Sequence, residues 1–242
     1  LKVLTTLDWE MQQIAERVVG EGAERNAKLY SGRNATLVAQ DPKTGQILSL
    51  VGSKDYFDTE NEGNFNVATQ GLRQPGSALK PFAYLTAFEK GYPAGTYIFD
   101  TDTEFDTTGL ADKSYRPHNF DEKFRGPVTL EEGLAQSINI PSVKVLYLAG
   151  MDDFLKTVHK FGISTLKERW RYGLSLILGG GEVKLIDLVN AYSTLSQEGV
   201  LHKQSFILKV ENGDGETLET FHDEPERVSD PQYPQLISQI LS

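Results

Sequence analysis

Residues 73–82 are RQPGSALKPF, a stretch that places Ser77 three positions before Lys80. Residues three apart on a helix lie on the same face, and Pro81 is tolerated only in the first turn, so a helix is predicted to begin close to Ser77. A serine hydroxyl becomes an effective nucleophile when a neighbouring base accepts its proton, and a desolvated lysine amine can be that base. The spacing therefore makes Ser77 and Lys80 a candidate catalytic pair.

The same Ser-x-x-Lys spacing occurs a second time, at Ser164 and Lys167. It overlaps Thr165 and Glu168, whose spacing is typical of a capping box that opens a helix. We therefore interpret Ser164 as structural. For Ser77, the spacing alone leaves open a simpler interpretation, in which the serine caps a helix and the lysine is solvated.

Ser137 and Asn139 lie between two further helix signals. Thr129 and Glu132 have the spacing of a capping box, and Pro141 suits the first turn of a following helix. The hydroxyl and the carboxamide are thus predicted on an elbow between two helices, where they can point into a cleft. A turn that simply favours serine and asparagine would leave the same residues at these positions.

Four stretches together resemble the transpeptidase domain of class A penicillin-binding proteins. They are RQPGSALKPF at 73–82, YRPHN at 115–119, RGPVTL at 125–130 and SINIP at 137–141. Weaker similarity covers nearly the whole chain, through TTLD at 5–8, DPKTGQIL at 41–48, YGLS at 172–175, LGGGEV at 178–183 and NAY at 190–192. The resemblance implies an α+β fold like that of the serine β-lactamases, with an antiparallel sheet packed against helices and a helical subdomain. The order of predicted strands, then helices, then strands agrees with that class.

The resemblance also implies a reaction, serine acyl transfer. Ser77 would attack the D-Ala-D-Ala end of a peptidoglycan stem peptide, and Lys80 would act as general base. Ser137 would relay a proton toward the leaving amine, and Asn139 would hold the lysine or the substrate amide. β-Lactam antibiotics would acylate Ser77, and no cofactor is expected.

The resemblance further implies a location and a larger parent protein. That parent would be anchored in the bacterial inner membrane, carry a glycosyltransferase domain and act on the extracytoplasmic face, on the periplasm or cell-wall side. The 242-residue chain has no apolar run of the roughly 18 residues that cross a bilayer, so the chain itself is expected to be soluble.

The third motif of the family, Lys-Thr-Gly on a strand after the elbow, is not found after Asn139. The Lys-Thr-Gly at residues 43–45 lies between two strand-like runs and is typical of a turn. Residues 1–242 are therefore expected to be an incomplete transpeptidase domain that ends before that strand. The resemblance implies that this strand provides the second oxyanion-hole N–H, beside that of Ser77. We therefore expect the chain to be poorly active, since losing one such donor costs about 3 to 4 kcal/mol in a well-studied hydrolase.

The predicted elements follow a simple order along the chain. They are an N-terminal helix within 1–34, a first hairpin within 35–52, the serine helix within 76–91, a helical region within 129–199 and a hairpin within 205–221. The first helix is predicted to begin after Asp8 and to end at Gly20 and Gly22. Its apolar face is predicted to include Ile14 and Val18.

Composition excludes several kinds of site. The net charge of −10 and the scattered basic residues argue against a nucleic-acid groove, and the lack of cysteine excludes disulfides and thiolate chemistry. The four histidines show no ligand spacing, and Phe105 stands where a calcium loop begun at Asp100 needs glycine, so no metal is expected. Gly179-Gly180-Gly181 lacks the lysine of a phosphate loop and is interpreted as a flexible connection.

Two other functions stay open. The first is a serine β-lactamase or D,D-carboxypeptidase, although Glu182 and Leu185 are followed by Ile186 where a class A β-lactamase would have asparagine. The second is a binding or scaffold module that recognises cell-wall peptides without turnover. A Lys-Ser/Thr-Gly strand in sequence beyond Ser242 would favour the transpeptidase over the binding module.

Overall fold

A computed structural model describes residues 1–106 and 114–242. In these ranges the α-helices are α1 (Trp9–Tyr30), α2 (Lys80–Glu89), α3 (Leu130–Ala135), α4 (Asn139–Ala149), α5 (Met151–Lys160), α6 (Leu185–Ser196) and α7 (Gln232–Leu241). Short 3-10 turns are Thr59–Asn61, Gly76–Leu79, Arg169–Arg171 and Leu174–Leu178. None of the helices described is long and apolar enough to cross a bilayer.

The strands pair in small antiparallel sheets. They are β1 (Lys2–Thr5), β2 (Leu37–Gln40), β3 (Ile47–Val51), β4 (Tyr97–Asp100), β5 (Phe105–Asp106), β6 (Ser114–Tyr115), β7 (Gly126–Thr129), β8 (Val200–Leu201), β9 (Ile207–Glu211), β10 (Thr217–Thr220) and β11 (Glu226–Arg227). The sheet orders are β1-β9-β10, β2-β3, β4-β7, β5-β6 and β8-β11. Helices with antiparallel strands give the predicted α+β class.

The chain divides into two compact units, the first formed by residues 1–72 and 184–228, the second by residues 73–183 and 229–242. In the first unit, α1 packs on β3 and α6 packs on β2. The Gln12 side chain, on α1, accepts from Leu50 N at 2.9 Å and donates to Leu50 O at 3.1 Å. It therefore satisfies backbone groups on β3 as a neighbouring strand would.

Helix α1 begins as predicted but ends later. Asp8 accepts a hydrogen bond from Met11 N at 2.9 Å, and the helix continues through both glycines to Tyr30. The predicted end at Gly20 and Gly22 is wrong because a glycine weakens a helix by about 1 kcal/mol without blocking it. The next turn places Ala23 in the core, which stabilises the continuation.

The buried face of α1 is also narrower than predicted. It consists of Gln12, Ala15, Val19 and Ala23. Ile14 is 54% exposed and Val18 is 45% exposed, so assigning them to the apolar face was wrong. Their apolar character widened the sequence pattern beyond the stripe that contacts the core.

The Lys-Thr-Gly at residues 43–45 forms the turn between β2 and β3, as predicted. Asp41 accepts hydrogen bonds from Lys43 N at 3.0 Å and from the Thr44 hydroxyl at 2.8 Å. Gly45 has φ +72°, a conformation that glycine adopts without strain. These contacts account for the motif by turn chemistry alone.

Helix α2 is the centre of the second unit. Its residues from Lys80 to Phe88 are all buried, as the apolar sequence around the helix predicts. The neighbouring helices are α3, α4, α5 and α7, and the Phe82 ring meets the Phe161 ring edge to face at 5.6 Å. A helix enclosed in this way gives a rigid base for the residues at its N-terminus.

The predicted capping box at Thr165 and Glu168 does not form. The chain is irregular before the 3-10 turn at Arg169–Arg171, and the buried Thr165 hydroxyl has no hydrogen-bond partner among the described residues. Leu166 is buried with φ +60°, a backbone conformation that a helix cannot contain. Burial of this leucine decides the local structure, so Ser164 and Lys167 do not share a helix face.

Candidate active site

Ser77 lies on the 3-10 turn Gly76–Leu79, directly before α2. Its carbonyl accepts from Lys80 N, and Pro81 stands in the first turn of α2, where its missing N–H leaves no helical bond unmade. The Ser77 side chain is exposed. Within the described residues its backbone N–H makes no hydrogen bond to protein, so it is available to a ligand.

Lys80 is buried in the second unit, with 1% of its surface exposed. Its Nζ donates to Ser137 O at 2.6 Å, to Asn139 Oδ1 at 2.8 Å and to Ser137 Oγ at 3.1 Å. Desolvation by burial lowers the pKa of Lys80 from 10.5 to about 8. A substantial fraction of this amine is therefore neutral slightly above neutral pH, the form that accepts a proton.

Ser137 lies on the elbow between α3 and α4 in a left-handed conformation, with φ +52°. The α3 helix starts with the predicted capping box, in which Thr129 and Glu132 exchange hydrogen bonds, and its end is closed by Ser137 N donating to Leu134 O at 2.9 Å. This conformation costs a non-glycine residue about 1 to 2 kcal/mol. In return, both the carbonyl and the hydroxyl of Ser137 reach Lys80 Nζ.

Asn139 is the first residue of α4, two positions earlier than the proline that predicted this helix. Its Oδ1 accepts from Lys80 Nζ, and its Nδ2 donates to His118 O at 2.9 Å. Because an ammonium only donates and a carbonyl only accepts, these partners fix the orientation of the amide. The structure thus brings Lys80, Ser137 and Asn139 into direct contact beside the Ser77 turn.

The turn that carries Ser77 packs tightly against Gly179. A Cβ on Gly179 would lie 2.9 Å from Gly76 Cα, and Gly179 has φ +102°. Arg73 and Val183 exchange backbone hydrogen bonds of 3.0 and 2.9 Å, which join the same two segments. Interpreting the three glycines as a flexible connection was therefore wrong at Gly179, because the lack of a side chain there allows close backbone approach.

The sequence assigned no part in catalysis to Gly179 or Asn119, although both lie in stretches that carry the family resemblance and both contact the candidate site. Asn119 accepts hydrogen bonds from Asn139 N at 3.1 Å and Ile140 N at 3.2 Å. The available signals were a glycine after an apolar run and an asparagine two residues after a proline. Neither signal carries chemistry of its own, so only the tertiary contacts assign them to the site.

Comparison with known proteins decides the family. Residues 35–242 match the family described as penicillin binding protein transpeptidase domain. The chain belongs to this family. The transpeptidase domain is 34% identical over 219 residues to penicillin-binding protein 2D of Bacillus subtilis (strain 168), covering 90% of this chain and 30% of that protein. The resemblance drawn from the motifs is confirmed.

Solved structures share the fold of this transpeptidase domain. The crystal structure of penicillin-binding protein 1A from Haemophilus influenzae matches 86% of this chain and 34% of its own, with a TM-score of 0.75 and 26% identity. The PonA1 protein from Mycobacterium tuberculosis in complex with penicillin V matches 99% of this chain and 62% of its own, with a TM-score of 0.80 and 23% identity. The second likeness bears on the fold alone.

Proposed function

We propose that this chain performs the acyl-transfer reaction of a peptidoglycan D,D-transpeptidase. The observation that supports the proposal is the buried Lys80, whose Nζ contacts Ser137 Oγ, Ser137 O and Asn139 Oδ1 one turn after the exposed Ser77. Solvated lysine would be too basic for the task, whereas burial lowers the pKa of Lys80 to about 8. Family membership supports the same chemistry.

In the first half-reaction, Ser77 Oγ forms a bond to the carbonyl carbon of the penultimate D-Ala of a stem peptide. The Ser77 hydroxyl proton passes to neutral Lys80 Nζ, and the carbonyl oxygen becomes an oxyanion facing the Ser77 N–H. When the carbon–nitrogen bond breaks, Lys80 returns a proton through Ser137 Oγ, at 3.1 Å, to the departing D-Ala amine. The products are an ester on Ser77 and free D-Ala.

The second half-reaction reverses these roles. An amine on a neighbouring stem peptide attacks the ester, gives up a proton toward Lys80 and releases Ser77 with its hydroxyl restored. Asn139 Oδ1 lies 2.8 Å from Lys80 Nζ in the structure, and in our proposal this contact holds the lysine in both half-reactions. A β-lactam enters the first half only: its ring amide opens on Ser77, and its amine stays attached to the acyl group, so the adduct persists.

Family membership also supports a proposal about the parent protein and the place where the reaction occurs. The relatives are named penicillin-binding proteins. The chain spans 30% of the Bacillus subtilis protein. We infer that a parent protein anchored in the inner membrane, with a glycosyltransferase domain, presents this domain to peptidoglycan outside the cytoplasm.

The 242 residues contain no Lys-Thr-Gly after Asn139, so a second oxyanion donor and the third side of the cleft would have to come from other residues. Acylation by residues 1–242 alone should accordingly be much slower than by a longer chain that includes such a strand. Equal rates of the two proteins would mean that residues assigned here to structural roles complete the site.

The experiment that tests the proposed function compares two lysines. Replacing Lys80 with alanine should slow labelling by a fluorescent penicillin by about 10² to 10⁴, the usual loss for a general base. Replacing the exposed Lys167 is the matched control and should change the rate little, since Lys167 shares no helix face with its serine. Equal effects of the two changes would contradict the proposal.

The same labelling separates the proposed function from a β-lactamase and from a binding module. A transpeptidase gives a stable covalent adduct, whereas a β-lactamase releases hydrolysed penicillin within the assay. A D,D-carboxypeptidase would also give a stable adduct, and it is distinguished by whether water or an added amine accepts the acyl group from a D-Ala-D-Ala peptide. Noncovalent binding with no adduct in a protein that includes the third-motif strand would favour the binding module. Glu182 is exposed and not followed by the expected asparagine, so no observation favours rapid deacylation.

A further inference from the structure

Asp100, at the end of β4, holds a carboxylate with no exposed surface. Asn119 Nδ2 donates to both of its oxygens, at 2.8 Å and 3.0 Å, and Arg125 N donates to Oδ2 at 3.0 Å. The Arg125 guanidinium lies 3.6 Å from the same oxygen. Burial of an unpaired charge is strongly unfavourable, so the folded state depends on these donors to compensate for the lost hydration of the Asp100 carboxylate.

Asp100 determines which way the Asn119 amide points. A carboxylate only accepts hydrogen bonds, so the Asn119 nitrogen must face Asp100, and the same nitrogen also donates to Lys123 O at 2.7 Å. The amide oxygen is therefore turned to the opposite side. There it accepts from Asn139 N and Ile140 N, at 3.1 and 3.2 Å.

These two N–H groups belong to the first turn of α4, where helical partners are lacking. Ile138, the residue before the helix, has an apolar side chain and provides no cap. Asn119 thus caps α4 from 20 residues earlier in the chain. The cap fixes the backbone position of Asn139, whose side chain contacts Lys80.

We propose that Asn119 is a positioning residue for acyl transfer, which with the buried Asp100 fixes the start of α4 and thereby holds Asn139 Oδ1 against Lys80 Nζ. The inference rests on the proposed function of Lys80 as the base. Asn119 makes no hydrogen bond to Ser77 or Lys80 among the described residues, so its effect on Lys80 passes through Asn139. A displacement of about 1 Å in such supporting residues can slow catalysis about 100-fold.

The test is a double-mutant cycle read by the rate constant of acylation at saturating fluorescent penicillin. Asn119→Ala should slow acylation about 10- to 100-fold. Added to Asn139→Ala, it should slow the reaction no more than about threefold further, because its effect passes through the residue already removed. Losses that multiply, or a folded Asn119→Ala protein within about twofold of wild type, would overturn the proposal.

Two further samples separate positioning from general loss of stability. Asp8→Ala removes the cap of α1 in the other unit and should lower the melting temperature while leaving the acylation rate within about twofold. If Asn119→Ala does not fold, the conservative variant Asp100→Asn replaces one of the two acceptor oxygens that face the Asn119 nitrogen by an NH2 group, which weakens the orientation of the Asn119 amide. It should slow acylation about threefold or more, and a folded Asp100→Asn protein that is acylated at the wild-type rate overturns the proposal.

The wild-type protein distinguishes the two hypotheses. If a wild-type protein that includes the third-motif strand forms no adduct on Ser77, the proposed function fails and the inference about Asn119 falls with it. If the wild type is acylated on Ser77 but the cycle is additive, acyl transfer stands and the role of Asn119 alone is wrong.

Discussion

Replacing Lys80 with methionine should remove a pH dependence of stability that the buried amine imposes on the fold. Burial lowers the pKa of Lys80 to about 8, whereas the unfolded chain keeps the ordinary value of 10.5. Between these values the unfolded state binds more protons than the folded state, so stability rises with pH. Below pH 8 both states are protonated, and the contribution of Lys80 to stability is at its lowest.

The expected magnitude follows from the two pKa values of Lys80, 10.5 and about 8. Each unit by which the pKa of Lys80 is lowered corresponds to about 1.4 kcal/mol, so the buried charge destabilises the folded state by about 3 kcal/mol at pH 7. By pH 10 the folded amine is neutral, and the remaining cost, about 1 kcal/mol, is that of deprotonating a lysine whose pKa in the unfolded chain is 10.5. Wild type should therefore gain about 2 kcal/mol relative to Lys80→Met between pH 7 and pH 10.

The assay is urea unfolding of wild type, Lys80→Met and the control Lys167→Met at pH 7, 8, 9 and 10. Subtracting the variant's free energy of unfolding from that of wild type cancels the contributions of the other groups that titrate in this range. This difference should increase with pH for Lys80→Met and should not change with pH for the control Lys167→Met. If the free-energy difference for Lys80→Met stays constant within about 0.5 kcal/mol from pH 7 to pH 10, Lys80 has the pKa of a solvated lysine, which contradicts its role as general base.

Two further predictions follow from the site. The acylation rate should rise about tenfold from pH 7 to pH 9, because the neutral fraction of Lys80 rises from about one tenth to about nine tenths across its pKa of about 8, and a flat profile would contradict this base. Gly179→Ala should lower the melting temperature and slow acylation about tenfold or more, since the new Cβ would lie 2.9 Å from Gly76 Cα. Gly173→Ala, with no atom within 4 Å, is the control, and equal effects would contradict the packing argument.

The sequence predicted those parts of the site that depend on local chemistry. Pro81 placed the start of the serine helix, and the capping box of Thr129 and Glu132 placed the helix before the elbow. Both signals act within one helical turn, where the chemistry of a few residues decides the backbone. The apolar residues on nearly all faces of α2 likewise predicted that this helix is buried.

The remaining features depend on contacts between distant segments. Leu166 is buried in a left-handed conformation and overrides a capping box that the local sequence favours. The packing of Gly179 on Gly76 and the cap that Asn119 provides to α4 join residues far apart in the chain. No local pattern encodes such pairs, so a single sequence could not assign them.

The measurement that tests the account most directly is the location of the covalent penicillin. After brief labelling, intact-protein mass should show one adduct, and peptide mapping should place it on Ser77. Ser77→Ala should abolish labelling, whereas Ser164→Ala should label at the wild-type rate. An adduct on Ser164 or Ser137, or unchanged labelling of Ser77→Ala, would contradict the claim that Ser77 is the nucleophile served by Lys80.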